Sequence, residues 1–282
     1  MATQMKRTVR KNVVNWTING ILLAAALIYL LPFFWIISTS LRPVGESYRM
    51  PPSFFPTQFN VEAYKQLLSN AFPFFMTFLN SAKVTVCVVL GQIVICTMAA
   101  YAFGCMHFPG KGILFGMLLT GLMMPIQVTA IPSFVLMTKL NLINNLWSVI
   151  LPYCSSIFGI FLLRQFFKSI PIALAEAAKI DGAGYLRVFA QIMLPQVKPA
   201  VATMVIYGMN QSWNNYFAPL LYLNQWEKMT LPIGMVVMRD NLPNGLGCVM
   251  AGIVLAIIPI FILFVFCQQY FVEGVAAQGI KG

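Results

Sequence analysis

The chain has only seven acidic side chains in 282 residues. Two of them, Glu176 and Asp181, fall in one short stretch, LAEAAKIDGAG at 174–184. Carboxylates can serve acid–base or metal chemistry only if a nucleophile, a base or further ligands join them. The single histidine, His107, cannot build a Ser-His-Asp arrangement or a histidine metal cluster, and it reads as a solvated interfacial residue. The six cysteines (Cys87, Cys96, Cys105, Cys154, Cys248, Cys267) lie within or at the ends of apolar runs, with no C-x-x-C among them. They read as small buried hydrophobes rather than a disulfide framework or metal site. GCMHFPGKG at 104–112 falls short of a phosphate loop. Five residues separate its glycines where four are needed, and Gly112 follows Lys111 where Ser or Thr should stand. The expectation is no catalytic residue, no metal, no cofactor on this chain and no ATP binding; any energy must come from a partner.

What remains is hydrogen bonding without charge. Asn210, Gln211, Ser212, Trp213, Asn214, Asn215 and Tyr216 form one polar and aromatic run inside an apolar stretch. An unpaired amide in hydrocarbon costs several kcal/mol, so these side chains must face other helices or a water-filled cavity. Gln211 and Asn214 are three apart and share a helix face. Gln127 lies between Pro125 and Pro132, whose kinks free carbonyls that can line a cavity or mark a bend. Helix–helix hydrogen bonding and a fixed packing kink are the plainer readings of the two features, and both stay open.

These residues sit in a membrane protein. The chain is 59% apolar and 9% charged, against about 25% charged in soluble domains. Several apolar runs reach the ~20 residues that cross a bilayer, and none alternates as barrel strands do. Six spans are predicted at about 16–38, 81–104, 113–136, 146–166, 199–222 and 246–270. The first is too long for a signal peptide and has no small-residue cleavage site. The net charge of +11 reflects Lys and Arg at the ends of the runs, so it signals topology and no nucleic acid. The bias places the N-terminus, the C-terminus and the loop 164–198 on the cytoplasmic side. No acid lies deep in a span, which argues against ion-coupled secondary transport. NVEAYKQLLSN, between the first two spans, reads as a short surface helix begun by an Asn cap.

The 164–198 loop is the most organised part. Ser169 and Pro171 suit a helix start, 172–180 are strong helix formers, and Gly182 and Gly184 break the run. Asp181 is placed to cap a second short helix at about 185–193. Ala173, Ala175, Ala177 and Ala178 keep the first helix thin, so another protein could approach its backbone, with Glu176 as one fixed charge. An amphipathic connector resting on the bilayer fits the same residues.

Glu176-Ala177-Ala178, Asp181-Gly182-Ala183, Ile192 and Leu194-Pro195 resemble the EAA signature of permease subunits in bacterial ABC importers. SWNNYFAPLLYL at 212–223 and the ending YFVEGVAAQGIKG resemble carbohydrate-uptake permeases of the maltose type, closest to their six-span G-type (MalG-like) subunit. The tail departs from the pattern at Ala276-Ala277-Gln278, where that family often has more glycine. The resemblance implies an all-α, six-span integral membrane protein with the type I ABC importer (MetI-like) permease fold, one permease domain over 1–282 with a cytoplasmic tail at 271–282. It implies that Glu176, Ala177, Ala178, Asp181, Gly182 and Ala183 form the coupling helix and turn that dock on an ATPase. Gln278, Gly279 and Lys281 would be a tail contact. The implied partners are a second (MalF-like) permease, two copies of a cytoplasmic ATP-binding subunit carrying Mg-ATP, an extracellular or periplasmic solute-binding protein and a sugar. The location would be the bacterial inner membrane. A sugar's hydroxyls suit neutral amides and aromatic faces, making Asn210, Gln211, Trp213, Asn214 and Gln127 the candidates for its path. A polyol or glycerol-phosphate permease, a stand-alone carrier and a membrane enzyme are the competing readings.

Overall fold

The computed structural model describes residues 2–49, 51, 53–69, 73–242 and 244–279; the side chains of 2–13, 267 and 269–279 lie outside that description. Every regular element among the described residues is helical. The chain divides into two compact units, Met1–Phe72 with Met238–Leu255, and Pro73–Val237 with Ala256–Gly282.

In the first unit, α1 (Ala2–Ser40) carries the apolar span Val14–Ser40. Its exit is fixed by polar contacts. Arg42 is 1% exposed. Its guanidinium donates to Ser38 Oγ at 3.1 Å and to the carbonyls of Ser53 and Phe54, and lies 4.6 Å over the Trp35 ring. Glu46 accepts from Ser53 Oγ, Thr57 Oγ1 and the Thr57 amide at 2.8–3.2 Å. A buried charge is tolerated when hydrogen-bonded in this way, although Arg42 Nε finds no partner among the described residues. Asn60 Oδ1 takes the Glu62 amide at 2.7 Å just ahead of α2 (Glu62–Leu68). The N-cap itself is Val61, one residue past the Asn cap that the sequence predicts, and it makes no side-chain cap bond.

The second unit holds α3 (Phe74–Cys105), α4 (Lys111–Thr120) and α5 (Ile126–Lys139). It continues through α6 (Trp147–Ile150), α7 (Ile157–Ser169), α8 (Ala173–Ile180), α9 (Tyr185–Arg187), a π-helical stretch Val188–Met193 and α10 (Leu194–Gln196). Then come α11 (Lys198–Trp213) and α12 (Phe217–Tyr222). Two further helices, α13 (Leu231–Asn241) and α14 (Gly245–Gly279), complete the chain.

Four helical stretches, Trp147–Ser169 among them, are long and apolar enough to cross a membrane, and there are up to six if two bent pairs each count as one. The expected third span bends by 103° between Met123 and Ile126. Pro125 causes this: it holds Met124 in extended backbone (φ −81°, ψ 119°), and a residue before proline avoids the helical region. The stretch entering the fifth span bends by 80° at Val197, between Pro195 and Pro199. That span was expected to run to 222, but α11 stops at Trp213. Asn214 turns its Nδ2 back to Asn210 O (3.0 Å) and Oδ1 (2.6 Å), and Asn215 Oδ1 takes the Ala218 amide (3.2 Å) to begin α12. Short amide side chains compete with the helix ladder in this way. The fourth span is interrupted too, by a 3-10 turn at Leu151–Tyr153, and Ser156 Oγ caps α7 through the Gly159 amide at 3.1 Å.

Helices α3, α7 and α11 cross through small residues, as membrane helices do when packing rather than water exclusion holds them. A Cβ at Gly91 would lie 2.6 Å from Cys154 Sγ, and one at Gly208 would overlap the Gln92 carboxamide. Gln92 Nε2 donates to Tyr153 O at 2.9 Å, tying α3 to the fourth span. Below that crossing lies an apolar cluster of Cys96, Tyr101, Leu163, Phe167, Val188 and Met204.

Candidate functional site: a surface lever and a polar cavity

Helix α8 buries Ala175 and Ala178 and exposes Glu176 and Ala177. Both buried alanines join the cluster that contains Tyr101 of α3, Phe167 of α7 and Met204 of α11. The thin face predicted for a partner is therefore divided. Two alanines hold the helix against the spans, and Glu176 and Ala177 point away.

The turn after α8 explains the sequence DGA. The Ala183 amide donates to Ala178 O at 2.9 Å and the Gly182 amide to Lys179 O at 3.0 Å. Gly182 takes φ +83°. This is a Schellman closure, which needs a left-handed residue just past the helix end and favours glycine there. Ala183, half-buried, packs on the same apolar cluster. Asp181 does not cap the following helix. It stands at the C-cap of α8, exposed, and Gly184 occupies the N-cap of α9 in extended backbone (φ −70°, ψ 164°). The Schellman bonds fix the chain direction before Asp181 could reach forward.

On either side of Glu176 in the chain, Ile172, Leu174, Ile180, Tyr185 and Leu186 are all exposed; Ile180 is 86% exposed. Bulky apolar side chains exposed in such number on one short segment suit contact with another surface. Sequence reasoning missed these five and kept to small and charged residues. Their signal was bulky apolar side chains at both edges of a segment too short to span a membrane.

The polar run at the end of α11 meets a cavity of about 500 Å³. Gln211, Asn214 and Tyr216 line it with Tyr207 of α11, joined by Gln92 from α3 and Tyr153 from the turn before α7. No charged side chain is among its walls. Of the other candidates, Trp213 turns away, buried with its ring edge-on to Phe78 at 5.4 Å. Asn210 is exposed and serves as acceptor for Asn214, and Gln127 is exposed in the first turn of α5. Sequence reasoning missed Gln92 and Tyr153, since only the crossing of α3 with the fourth span brings them there. In the tail, Gln278 and Gly279 are described by backbone alone, and all of Lys281 lies outside the described residues. Among the described residues no group of three or more His, Cys, Asp or Glu could hold a metal ion.

Bent apolar spans, a surface lever packed against them and a neutral polar cavity together define a transport protein of the membrane. The chain belongs to the family of binding-protein-dependent transport system inner membrane components, whose profile matches residues 93–276. It is 32% identical over 272 residues to the arabinooligosaccharides transport system permease protein AraQ of Halalkalibacterium halodurans, covering 96% of this chain and 98% of that one. It is also 32% identical over 208 residues to the sn-glycerol-3-phosphate transport system permease protein UgpE of Yersinia pestis, covering 73% and 74% of the two chains. The crystal structure of a bacterial ABC transporter involved in import of the acidic polysaccharide alginate superposes with a TM-score of 0.78 at 26% identity, covering 93% of this chain and 98% of that chain. The protein is thus a multi-pass ABC importer permease.

Proposed function

We propose that this chain forms one half of a heterodimeric pore that imports a neutral sugar or short oligosaccharide, driven by ATP hydrolysed on partner subunits. The observation that carries the cargo reading is the cavity beside Asn214. Gln211, Asn214, Gln92 and Tyr153 offer uncharged donors and acceptors, and Tyr207 and Tyr216 offer ring faces. That is the chemistry of a hydroxyl-rich solute. A phosphate ester would need basic side chains in the walls, so the glycerol-phosphate alternative fits the cavity less well.

The coupling reading rests on α8. With both termini and 164–198 in the cytoplasm, Glu176 and Ala177 face an ATPase subunit, and the exposed apolar residues around them fill a cleft on it. Movement of α8 is passed on through Ala175 and Ala178 to α3, α7 and α11. Gly182 keeps the lever's exit rigid. The full assembly would hold a second permease subunit, two ATP-binding subunits carrying Mg-ATP and an external solute-binding protein, with no cofactor on this chain.

The test is reconstitution. Proteoliposomes with all partners should take up labelled sugar only with internal ATP, and this chain alone should take up none. Uptake by the chain alone would overturn the proposal in favour of a stand-alone carrier.

A further inference from the structure

Where α3 and α7 end, three cations meet with no acid to balance them. Lys111 Nζ donates to Met106 O at 2.7 Å and Gly104 O at 3.3 Å, and Arg164 Nε donates to Phe103 O at 3.0 Å. These bonds satisfy the orphan carbonyls at the C-terminal end of α3, where cations suit the helix dipole. They leave the charge itself uncompensated. Lys111 lies close enough to feel the positive charge of both Arg164 and Lys168, and no carboxylate pairs with any of the three among the described residues. Lys168 Nζ and the Nη atoms of Arg164 make no hydrogen bond within the described chain.

The surroundings are those of a membrane boundary. The cluster stands at the end of the span Phe74–Cys105, the start of Lys111–Met123 and the end of Trp147–Ser169. Phe103 lies 5.9 Å from Phe108 and 5.5 Å from Phe115 between ring centroids, and the Arg164 guanidinium rests 3.8 Å over Phe115. An apolar aromatic floor thus adjoins a cationic rim.

We propose that this cluster binds the phosphate of an anionic phospholipid from the inner leaflet. The inference rests on the cytoplasmic placement of 164–198 given above. Arg164 presents its free fork to two phosphate oxygens, and Lys168 adds a point charge. The acyl chains run along the partly exposed Phe103, while Phe115 lies buried beneath Arg164 and holds the guanidinium in place; a soluble phosphate could not use that apolar contact. Lys168 precedes the end of α7 by one residue and α8 begins at Ala173, so a bound headgroup braces the root of the lever against the 106–111 turn.

The test uses the complete complex in detergent, with bound lipid counted by native mass spectrometry after exposure to mixed phosphatidylglycerol and phosphatidylcholine. Phosphatidylglycerol should be retained over phosphatidylcholine. Lys168→Gln, which breaks no bond, should weaken retention about fivefold, the weight of one interfacial cation. Lys168→Arg should restore it, and Lys139→Gln should leave it unchanged. Equal retention of the two lipids, an equal loss in Lys139→Gln, or displacement by millimolar glycerol 3-phosphate would overturn the proposal. Retention in detergent depends on neither sidedness nor transport, so its failure leaves the transport reading standing. Labelling of Lys168→Cys from outside intact cells would overturn the inner-leaflet assignment.

Discussion

The amide of Ala183 donates to the carbonyl of Ala178 at 2.9 Å across a glycine at φ +83°. The two alanines also share the apolar cluster that joins α3, α7 and α11. One hydrogen bond therefore links the end of the surface lever to the packing of the spans.

Gly182→Val tests that link. A left-handed backbone costs a residue with Cβ about 1–2 kcal/mol, and a β-branched one suffers most. The variant should insert and assemble, yet lose most transport-coupled ATPase activity. Gly182→Asn should keep more of it, since Asn tolerates this region. Equal activity in both, at the native level, would show that the turn has no mechanical role.

Glu176→Lys reverses the one carboxylate on the exposed face of α8. Transport and stimulation of the partner ATPase should both fall while the chain still reaches the membrane. Unchanged stimulation in a coupled ATPase assay would count against a charge contact at this position.

Asn214→Leu removes a donor from the cavity wall and also the two bonds to Asn210. Sugar uptake should drop far more than assembly, because Asn214 is exposed and its bonds stay within α11 and its C-cap. A matching loss of assembly on size-exclusion chromatography would assign the amide to helix packing instead.

Gly208→Ala should destabilise the α3–α11 crossing. The new methyl displaces the Gln92 carboxamide and strains its bond to Tyr153 O, a loss of about 1–2 kcal/mol. In a double-mutant cycle followed by thermal unfolding, Gln92→Ala should relieve much of that loss. Simple additivity would mean the two residues do not meet.

The loop after α1 should be sensitive to acid. Hydrogen bonds from the Thr57 side chain and amide and from Ser53, with Arg42 nearby, hold the Glu46 carboxyl below its ordinary value. A lowered value in the folded state means that its stabilisation is complete above the ordinary carboxylate range. It is lost as pH falls through the lowered value. Limited proteolysis at residues 42–60 should stay slow at pH 7 and accelerate toward pH 3. Glu46→Gln should cleave readily at pH 7 and show little further pH dependence.

Much of this architecture was legible because a bilayer constrains a chain so strictly. Apolar runs of sufficient length announced the spans, and Gly182 announced a turn that only a left-handed residue closes. Pro125 signalled a kink, but a proline's local restriction of Met124 does not by itself give the angle between two helices, here 103°. The stop at Trp213 was hidden by apolar residues continuing to 222, although Asn214 and Asn215 carried the competing hydrogen bonds. Asp181 was misassigned because a capping residue before glycine reads equally well as the end of one helix or the start of the next. Gln92 and Tyr153 reach the cavity through contacts distant in sequence, and no spacing rule finds such pairs.

The central claim is that α8 is gripped by an ATPase on the cytoplasmic side. The most direct measurement is site-specific crosslinking from Ala177→Cys in the assembled complex, paired with labelling of the same cysteine by an impermeant maleimide. A crosslink to the ATP-binding subunit, sensitive to its nucleotide state, and labelling only in inside-out vesicles are the predicted results. Failure to reach any ATPase, or labelling of this position from outside intact cells, would contradict the account.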